Sequence, residues 1–461
     1  MLKIRTKCTN ISSKDYLIFA LHRRMNVIFL SMVNLNEITT HGIYQDLMRR
    51  FRDEGHKVYI VSPLERRMVQ GSKKFKVQGP ELLEVDGVTI LRVRTLNLQK
   101  TNVVEKGLGQ LLVEKQFKRA IKKYLGDVTF DLILYSTPPI TFLKVIEYLR
   151  KKNPAAKSYL LLKDIFPQNA VDLGMLSPTP NPSPQGRGAL AVMMNMPKYW
   201  LYRYFRRKEK RLYALSDYIG CMSPANVQYV IEHNPEVDPK KVEVAPNSIS
   251  LTPNPSPQGE GNLGIRKKYG LPVDKPIFIY GGNLGKPQGI SFLVECLEAN
   301  AHRDDCHFVV VGSGTEFHYL ESRIAQMKEM AQMEQKPFNV HLMEGLPKEY
   351  YDQLVRACDV GLIFLDHRFT IPNYPSRLLS YLENKMPVIC ATDSNTDIGR
   401  IAEENGYGFW CESVRPEDFT ALVDRMLTAD RKEMGERGYE FLRKNYTVVN
   451  TYNAVMRHFC G

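Results

Sequence analysis

Long apolar runs, CxxC pairs and Asp-x-Asp pairs are absent from this 461-residue sequence. No apolar run approaches the roughly 20 residues that a membrane-spanning helix requires. The eight cysteines form no CxxC pair and have no metal-ligand spacing, which favours reduced thiols in a cytosolic protein. No Asp-x-Asp pair occurs, so the paired aspartates that commonly hold a divalent metal ion are missing, and we expect chemistry that needs no metal.

The composition is that of a globular protein with a large basic surplus. Hydrophobic residues make up 43% and charged residues 25%, and the length suits two domains better than one. The net charge of +13 suggests an acidic partner: nucleic acid, an anionic membrane or a phosphorylated substrate. We disfavour nucleic acid, because no recognisable base-reading module accompanies the basic residues.

The first 24 residues differ in character from the rest of the chain. They are basic, and their apolar stretch, Tyr16–Leu21, is too short for the core of a signal peptide. Met25 then begins MNVIFLSM, which has the pattern of a buried strand. We expect residues 1–24 to be an N-terminal extension upstream of the native start; the alternative is a short basic amphipathic arm.

From Met25 onward, short apolar runs alternate with amphipathic helical segments, the pattern of parallel βαβ units. A second series of six βα units begins near Pro276. We therefore predict an α/β fold of two tandem doubly wound, Rossmann-like domains that face a central cleft. The predicted boundaries are 25–248 for the first domain, 249–264 for a linker, 265–445 for the second domain and 446–461 for a C-terminal helix.

One proline-rich decapeptide occurs twice, as TPNPSPQGRG at 179–188 and as TPNPSPQGEG at 252–261. Its prolines are incompatible with a helix or a central strand. We predict that both copies are insertions in exposed loops, at 178–188 in the first domain and within the linker, where they are tolerated without contributing to function.

The stretch YGGNLGKPQG, Tyr280–Gly289, follows a predicted strand and precedes a helix. Its glycines let backbone N–H groups approach an anion closely, and Lys286 adds positive charge, so a diphosphate is the expected ligand. The stretch does not match the pattern GxxxxGK[ST], which disfavours the phosphate-binding loop of an ordinary nucleoside triphosphatase. A glycine-rich turn with no ligand remains the alternative, as it does for VGSGTE, Val311–Glu316.

Two further positions are candidates for chemistry. In the segment Arg368–Val388, Ser376 suits a helix N-cap, and Arg377 lies in the first turn, where a cation gains nothing from the helix dipole. That position hints at a ligand-binding role for Arg377, although a solvated arginine is the commoner explanation. Asp164 ends an apolar strand at a cleft edge and is an acid/base candidate or, equally, a turn cap.

Taken together, these stretches resemble retaining glycosyltransferases of the GT-B fold, family 4, from about Met25 to the C-terminus. The motifs GNLGKPQGI, VVVGSG, VHLMEGLPKEYYDQLVRACDVGLIFL and PSRLLSYLENKMPVI follow in the family's order and spacing. The subgroup with the greatest likeness builds bacterial surface polysaccharides such as capsule and O-antigen. The resemblance also implies that the last helix crosses back to the first domain.

The resemblance implies roles for particular residues. Donor diphosphate binding falls to Gly282, Asn283, Lys286, Ser376 and Arg377. Nucleoside binding falls to Gly314, Glu344, Gly345, Leu346 and Ser380. The acceptor-side loop comprises Thr40, His41 and Gly42. Asp164 matches an aspartate in the subgroup's Asp-x-x-Pro stretch and is the catalytic candidate; no metal and no cofactor are expected, since the nucleotide sugar is a substrate.

The chain departs from the family at two positions. The wider family has two glutamates, eight positions apart, that flank the donor sugar and ribose. Here Pro372 and Ser380 stand at those positions, and Ser380 cannot offer a charge-assisted hydrogen bond.

The predicted function is transfer of a hexosyl or N-acetylhexosaminyl group, with retention, from a nucleotide sugar, UDP-sugars being favoured. The expected acceptor is a lipid-diphosphate-linked or growing polysaccharide at the cytoplasmic face of the inner membrane. Two basic, aromatic segments, Ala189–Ser216 and Glu114–Leu125, could lie on an anionic membrane or pack as amphipathic helices. The alternatives are a sugar-nucleotide epimerase of the same fold and a catalytically degenerate partner of an active transferase.

Overall fold

The computed structural model describes residues 24–35, 37–65, 79–97, 103–136, 142–180, 189–251 and 260–459. Almost all of the predicted N-terminal extension and most of both proline-rich decapeptides lie outside the described residues. The predictions made for those segments therefore remain predictions.

The N-terminal domain is built on one eight-stranded sheet. Its strands are β1 Asn26–Leu30, β2 Lys57–Glu65, β3 Glu81–Val85, β4 Val88–Thr95, β5 Leu132–Ser136, β6 Lys157–Leu162, β7 Tyr218–Cys221 and β8 Val242–Val244. The spatial order is β3-β4-β2-β1-β5-β6-β7-β8. All neighbours are parallel except β3 and β4, which form a hairpin. That hairpin was not predicted; its turn, Asp86–Gly87, has positive φ at both residues, the geometry of tight hairpin turns.

Helices cover both faces of this sheet, so its central strands are buried and nearly uniformly apolar. The helices of this part of the chain are α1 Ile43–Asp53, α2 Val103–Tyr124, α3 Leu143–Lys152, α4 Gln168–Asp172, α5 Ala189–Leu215 and α6 Pro224–His233, with a 3-10 turn at Pro239–Lys241. Among the described residues, no helix is both long and apolar enough to cross a membrane.

The C-terminal domain contains a six-stranded, fully parallel sheet. Its strands are β9 Ile277–Asn283, β10 His307–Ser313, β11 Val340–Glu344, β12 Val360–Phe364, β13 Val388–Thr392 and β14 Gly408–Glu412. The order β11-β10-β9-β12-β13-β14 reverses direction between β9 and β12. In an open parallel sheet, a crevice for ligands forms at the carboxyl ends of the strands at such a reversal.

The helices of the second half complete the doubly wound pattern. They are α7 Glu260–Lys268, α8 Ile290–Asn300, α9 Phe317–Met333, α10 Lys348–Arg356, α11 Arg377–Glu383, α12 Ile398–Glu404, α13 Pro416–Thr428, α14 Arg431–Asn445 and α15 Val448–Met456, with a 3-10 turn at Lys286–Gln288. The predicted α/β class with two Rossmann-like domains is confirmed, with the antiparallel edge strand β3 as an addition.

The last helix, α15, lies against the N-terminal domain. Tyr452 packs edge-to-face on Phe51 of α1, with ring centroids 4.9 Å apart, and its hydroxyl is 2.9 Å from Nε2 of His56. The Thr451 hydroxyl donates to the Pro246 carbonyl at 3.0 Å. The N-terminal domain therefore includes a helix that follows the second domain in the sequence.

Candidate functional site

A cavity of about 560 Å³ lies between the two domains. The end of β6 contributes one wall, and the end of β9, the segment after β12 and the start of α11 contribute the other. The lining residues are Lys163, Asp164, Asn169, Gly281, Gly282, Asn283, Pro287, Gln288, Tyr351, Leu365, Phe369, Asn373, Tyr374, Pro375, Ser376, Arg377 and Ser380. The cavity therefore draws on residues from both domains.

Glycines at the end of β9 bring bare backbone to the cavity. Gly282 has a φ of 125°, which disfavours any residue with a Cβ. A Cβ at Gly281 would lie 2.1 Å from the Tyr351 hydroxyl oxygen, so a side chain here would displace the Tyr351 ring. The chain can consequently present N–H groups and peptide edges to a ligand where a side chain would block it.

Arg377 lies opposite these glycines. Its guanidinium carbon is 4.4 Å from the centre of the Tyr280 ring, a cation–π contact that fixes the side chain. An ideal Cβ at Gly282 would lie 3.6 Å from Nη2, so the guanidinium covers the bare backbone. Nη1 is buried and has no hydrogen-bond partner among the described residues. A buried donor left in this state costs about 1–3 kcal/mol, and Arg377 lines the cavity, where its guanidinium can attract an anion.

Asp164 is the only carboxylate among the described residues that line this cavity. Its Oδ1 accepts a hydrogen bond of 2.8 Å from Nδ2 of Asn169. Burial raises the pKa of Asp164 to about 6, with the hydrogen bond from Asn169 opposing the shift. Burial also lowers the pKa of the neighbouring Lys163, whose Nζ donates to the Ala245 carbonyl, to about 7.

A second cavity of about 1380 Å³ lies at the carboxyl ends of β9, β10 and β11. It shares Gly282, Asn283, Pro287 and Tyr351 with the first cavity. The predicted nucleoside residues Gly314, Gly345 and Leu346 line it, together with Lys286, Lys348 and Met175. The two cavities meet at the glycine-rich end of β9, so an elongated ligand could occupy both.

The remaining predicted residues divide between the first cavity and positions outside both cavities. Ser376 and Ser380 line the first cavity, whereas Glu344 is exposed and lines neither. Thr40, His41 and Gly42 also line neither cavity. They lie at the interface between the domains, here called the seam, where His41 contacts Glu383 at the end of α11.

His41 joins two carboxylates from different domains. Nδ1 is 2.9 Å from Asp46 of α1, and Nε2 is 3.2 Å from Glu383 of α11. These hydrogen bonds, first that of Asp46 and then that of Glu383, raise the pKa of His41 to about 9. The imidazole is therefore charged at neutral pH and forms an ion bridge across the seam.

Pro372, which stands where the resembled family has a glutamate, does not line the cavity. Its carbonyl accepts a hydrogen bond of 2.6 Å from Nδ2 of Asn226 in α6. Eleven of the seventeen lining residues were not among the predicted ones; the polar side chains among them include Lys163, Gln288, Tyr351 and Asn373. Gln288, Tyr351 and Asn373 all lie inside the motif segments, but only the fold brings α10, and with it Tyr351, against the end of β9.

The acidic, histidine and cysteine side chains of the described part of the chain are dispersed. No cluster of three or more of them that could hold a metal ion occurs there.

The fold and the two cavities indicate the class of protein to which this chain is similar. Residues 263–441 match the family model described as glycosyl transferases group 1. The chain therefore carries a glycosyltransferase domain, and its two facing Rossmann-like domains have the GT-B architecture.

Individual proteins resemble three quarters or more of the chain at low identity. The probable glycosyltransferase WbjE of Pseudomonas aeruginosa is 23% identical over 362 residues, which cover 76% of this chain and 78% of WbjE. HepE of Anabaena, solved with UDP-glucose, has a TM-score of 0.60 at 13% identity, with 95% of this chain and 99% of HepE covered. WaaG, a glycosyltransferase involved in lipopolysaccharide biosynthesis, has a TM-score of 0.58 at 12% identity, with 94% and 100% covered.

Proposed function

We propose that the protein transfers a hexosyl or N-acetylhexosaminyl group, with retention and without a metal ion, from a nucleotide sugar to a bacterial polysaccharide acceptor. The donor is proposed to be a UDP-sugar, in keeping with the UDP-glucose bound by HepE. The nucleoside occupies the second cavity, the diphosphate lies at the glycine-rich end of β9, and the sugar extends into the cavity between the domains.

The observation that carries this proposal is the guanidinium of Arg377 over the bare backbone of Gly282. Its Nη1 is buried and has no partner among the described residues, and the residue lies where the two cavities meet. Arginine holds phosphate oxygens through two parallel hydrogen bonds, and a diphosphate leaving group needs such fixed positive charge as its bond to the sugar breaks. Ser376 adds a donor to the first cavity and Lys286 adds one to the second.

Asp164 is the proposed catalytic carboxylate. It is the lining residue able to offset positive charge on the anomeric carbon once the bond to the diphosphate lengthens. Because its pKa is about 6, it is ionised under neutral conditions. In the proposed reaction the acceptor oxygen bonds the anomeric carbon, and the acceptor proton leaves with the diphosphate.

The proposed acceptor is lipid-linked, and the proposed location is the cytoplasmic face of the inner membrane. The support is helix α5, where Trp200, Leu201 and Tyr204 are exposed. Arg203 lies 5.6 Å from the Trp200 ring, so basic and aromatic groups share the surface. Such a combination suits the interface of an anionic bilayer.

Nucleotide binding tests the donor proposal. Thermal-shift titrations with UDP-, GDP- and ADP-sugars in EDTA should identify at least one that raises the melting temperature of the wild type. Arg377→Met should weaken that binding by about 10- to 100-fold, the range expected when charged hydrogen bonds are lost. Arg400→Met, in the exposed side chain of α12, is the matched control and should bind normally.

Two results would contradict parts of the proposal. Absence of binding by the wild type to every nucleotide sugar would refute the donor assignment. Tight binding with no turnover, even with membrane extract as the acceptor source, would instead support a non-catalytic partner of an active transferase.

A further inference from the structure

The segment that follows β12 belongs to the C-terminal domain in sequence but packs against the N-terminal domain. Residues 366–373, here called the strap, leave the C-terminal sheet and enter the N-terminal domain. Phe369 and Ile371 are 1% and 0% exposed and belong to the hydrophobic core of the N-terminal domain, beside Leu162 and Ile165. Two large side chains buried in this way tie the strap to the domain that it enters.

Polar contacts reinforce this attachment. The backbone N–H of Thr370, between the two buried residues, donates to Oδ2 of Asp172 at 2.9 Å. Its hydroxyl donates to Oδ1 of the same carboxylate at 2.9 Å. Nε2 of Gln168 also donates to Asp172, at 2.8 Å, and holds the carboxylate in place. One residue beyond Ile371, the buried Pro372 carbonyl accepts from Asn226.

The strap also contacts both parts of the donor site. At its start, the Asp366 N–H donates to the Pro287 carbonyl at 3.1 Å, within the turn that follows the glycine-rich end of β9. At its end, the strap leads directly through Asn373 into Ser376 and Arg377. Phe369 and Asn373 themselves line the cavity between the domains. A shift of the strap would therefore move the cavity wall on both sides.

We propose that Asp172 and Asn226 are positioning residues for the donor site. Neither side chain lines the cavity; each holds a strap residue that fixes the wall around the sugar. This inference rests on the proposed function. It makes the N-terminal domain a structural determinant of how the C-terminal domain holds its donor, at the position where the resembled family uses a glutamate.

The strap borders the first cavity and none of its residues lines the second. Loosening of the strap should therefore weaken the binding of the sugar more than the binding of the nucleoside. In Asp172→Ala, the affinity for the nucleotide sugar that the wild type binds should fall about fivefold, whereas the affinity for the matching nucleoside monophosphate should change by less than about twofold. A general loss of stability would not alter that ratio. Asp172→Asn, which keeps one acceptor for Thr370, should restore part of the affinity.

A control and a second measurement separate this inference from the proposed function. Asp86→Ala removes a carboxylate that pairs with Arg52 away from the cavities, and both affinities should stay at their wild-type values. Hydrogen exchange without ligand should show faster exchange of the strap amides in Asp172→Ala and Asn226→Ala. Absence of nucleotide binding by the wild type would refute the proposed function alone. An unchanged affinity ratio together with unchanged strap exchange would overturn the inference.

Discussion

At the scale of single residues, Asp164 combines a proposed catalytic role with a cost to stability. Its pKa is about 6 in the folded protein, above the ordinary value of 3.8. The folded state therefore binds more protons than the unfolded state between these values, and the free energy of unfolding falls as pH rises through that window. Above about pH 6, where the buried Asp164 is ionised, the full cost of burying its charge lowers the free energy of unfolding.

Asp164→Asn should therefore stabilise the protein while it abolishes transfer. Asparagine keeps an acceptor for Asn169 and carries no charge to desolvate. We expect a gain of about 1 kcal/mol in the free energy of unfolding at pH 7, shrinking to nothing near pH 4. Urea denaturation at both pH values measures it, with turnover assayed in parallel. An equal effect at both pH values would show that the charge is not responsible.

At the scale of elements, helix α5 carries the proposed membrane contact. Replacing Trp200 and Tyr204 together by serine should weaken binding to vesicles of phosphatidylglycerol by about tenfold, because both rings would lose the apolar interface. Tyr319→Ser, which alters a similarly exposed aromatic residue in α9, is the control. Flotation assays with and without salt give the readout. Equal flotation of all three proteins would rule out this helix as the contact.

The elements themselves were largely predictable from the sequence. Parallel strands buried on both faces have continuous apolar runs, and these mark β1, β9 and β12 clearly. The β3–β4 hairpin was missed, since Glu81–Val85 is a short, half-exposed strand at the sheet edge. Arg377 and Gly282 were predictable because both lie within local motifs. The strap contacts were not, because Thr370 and Asp172 are 198 positions apart in sequence.

At the scale of the whole molecule, the contacts between the domains in the described part of the chain include the strap and the bridge between His41 and Glu383. The folded-state pKa of His41 is raised to about 9, so its contribution to stability is complete below about 6.5 and is lost as pH rises through about 9. Asp46, which faces the same imidazole, also accepts a hydrogen bond of 2.8 Å from the Ser250 N–H. Deprotonation of His41 should therefore loosen the seam.

His41→Gln tests this pH dependence. The variant should lose about 1 kcal/mol of unfolding free energy at pH 6.5, and the difference from wild type should narrow as pH approaches 9. The expected loss is small because about a third of the His41 side chain is exposed. Denaturant titrations across this range provide the measurement. Parallel stability curves for the two proteins would show that His41 is not the titrating group.

The return of α15 to the first domain has a consequence for biosynthesis. Domains generally fold as units while the chain is being made, N-terminal domain first. Here the groove beside α1 that receives Tyr452, and the Pro246 carbonyl that receives Thr451, stay without these partners until the ribosome has translated the whole second domain. The first domain to emerge is thus the last to be completed, and a nascent chain must keep that apolar groove from aggregating throughout synthesis of the second.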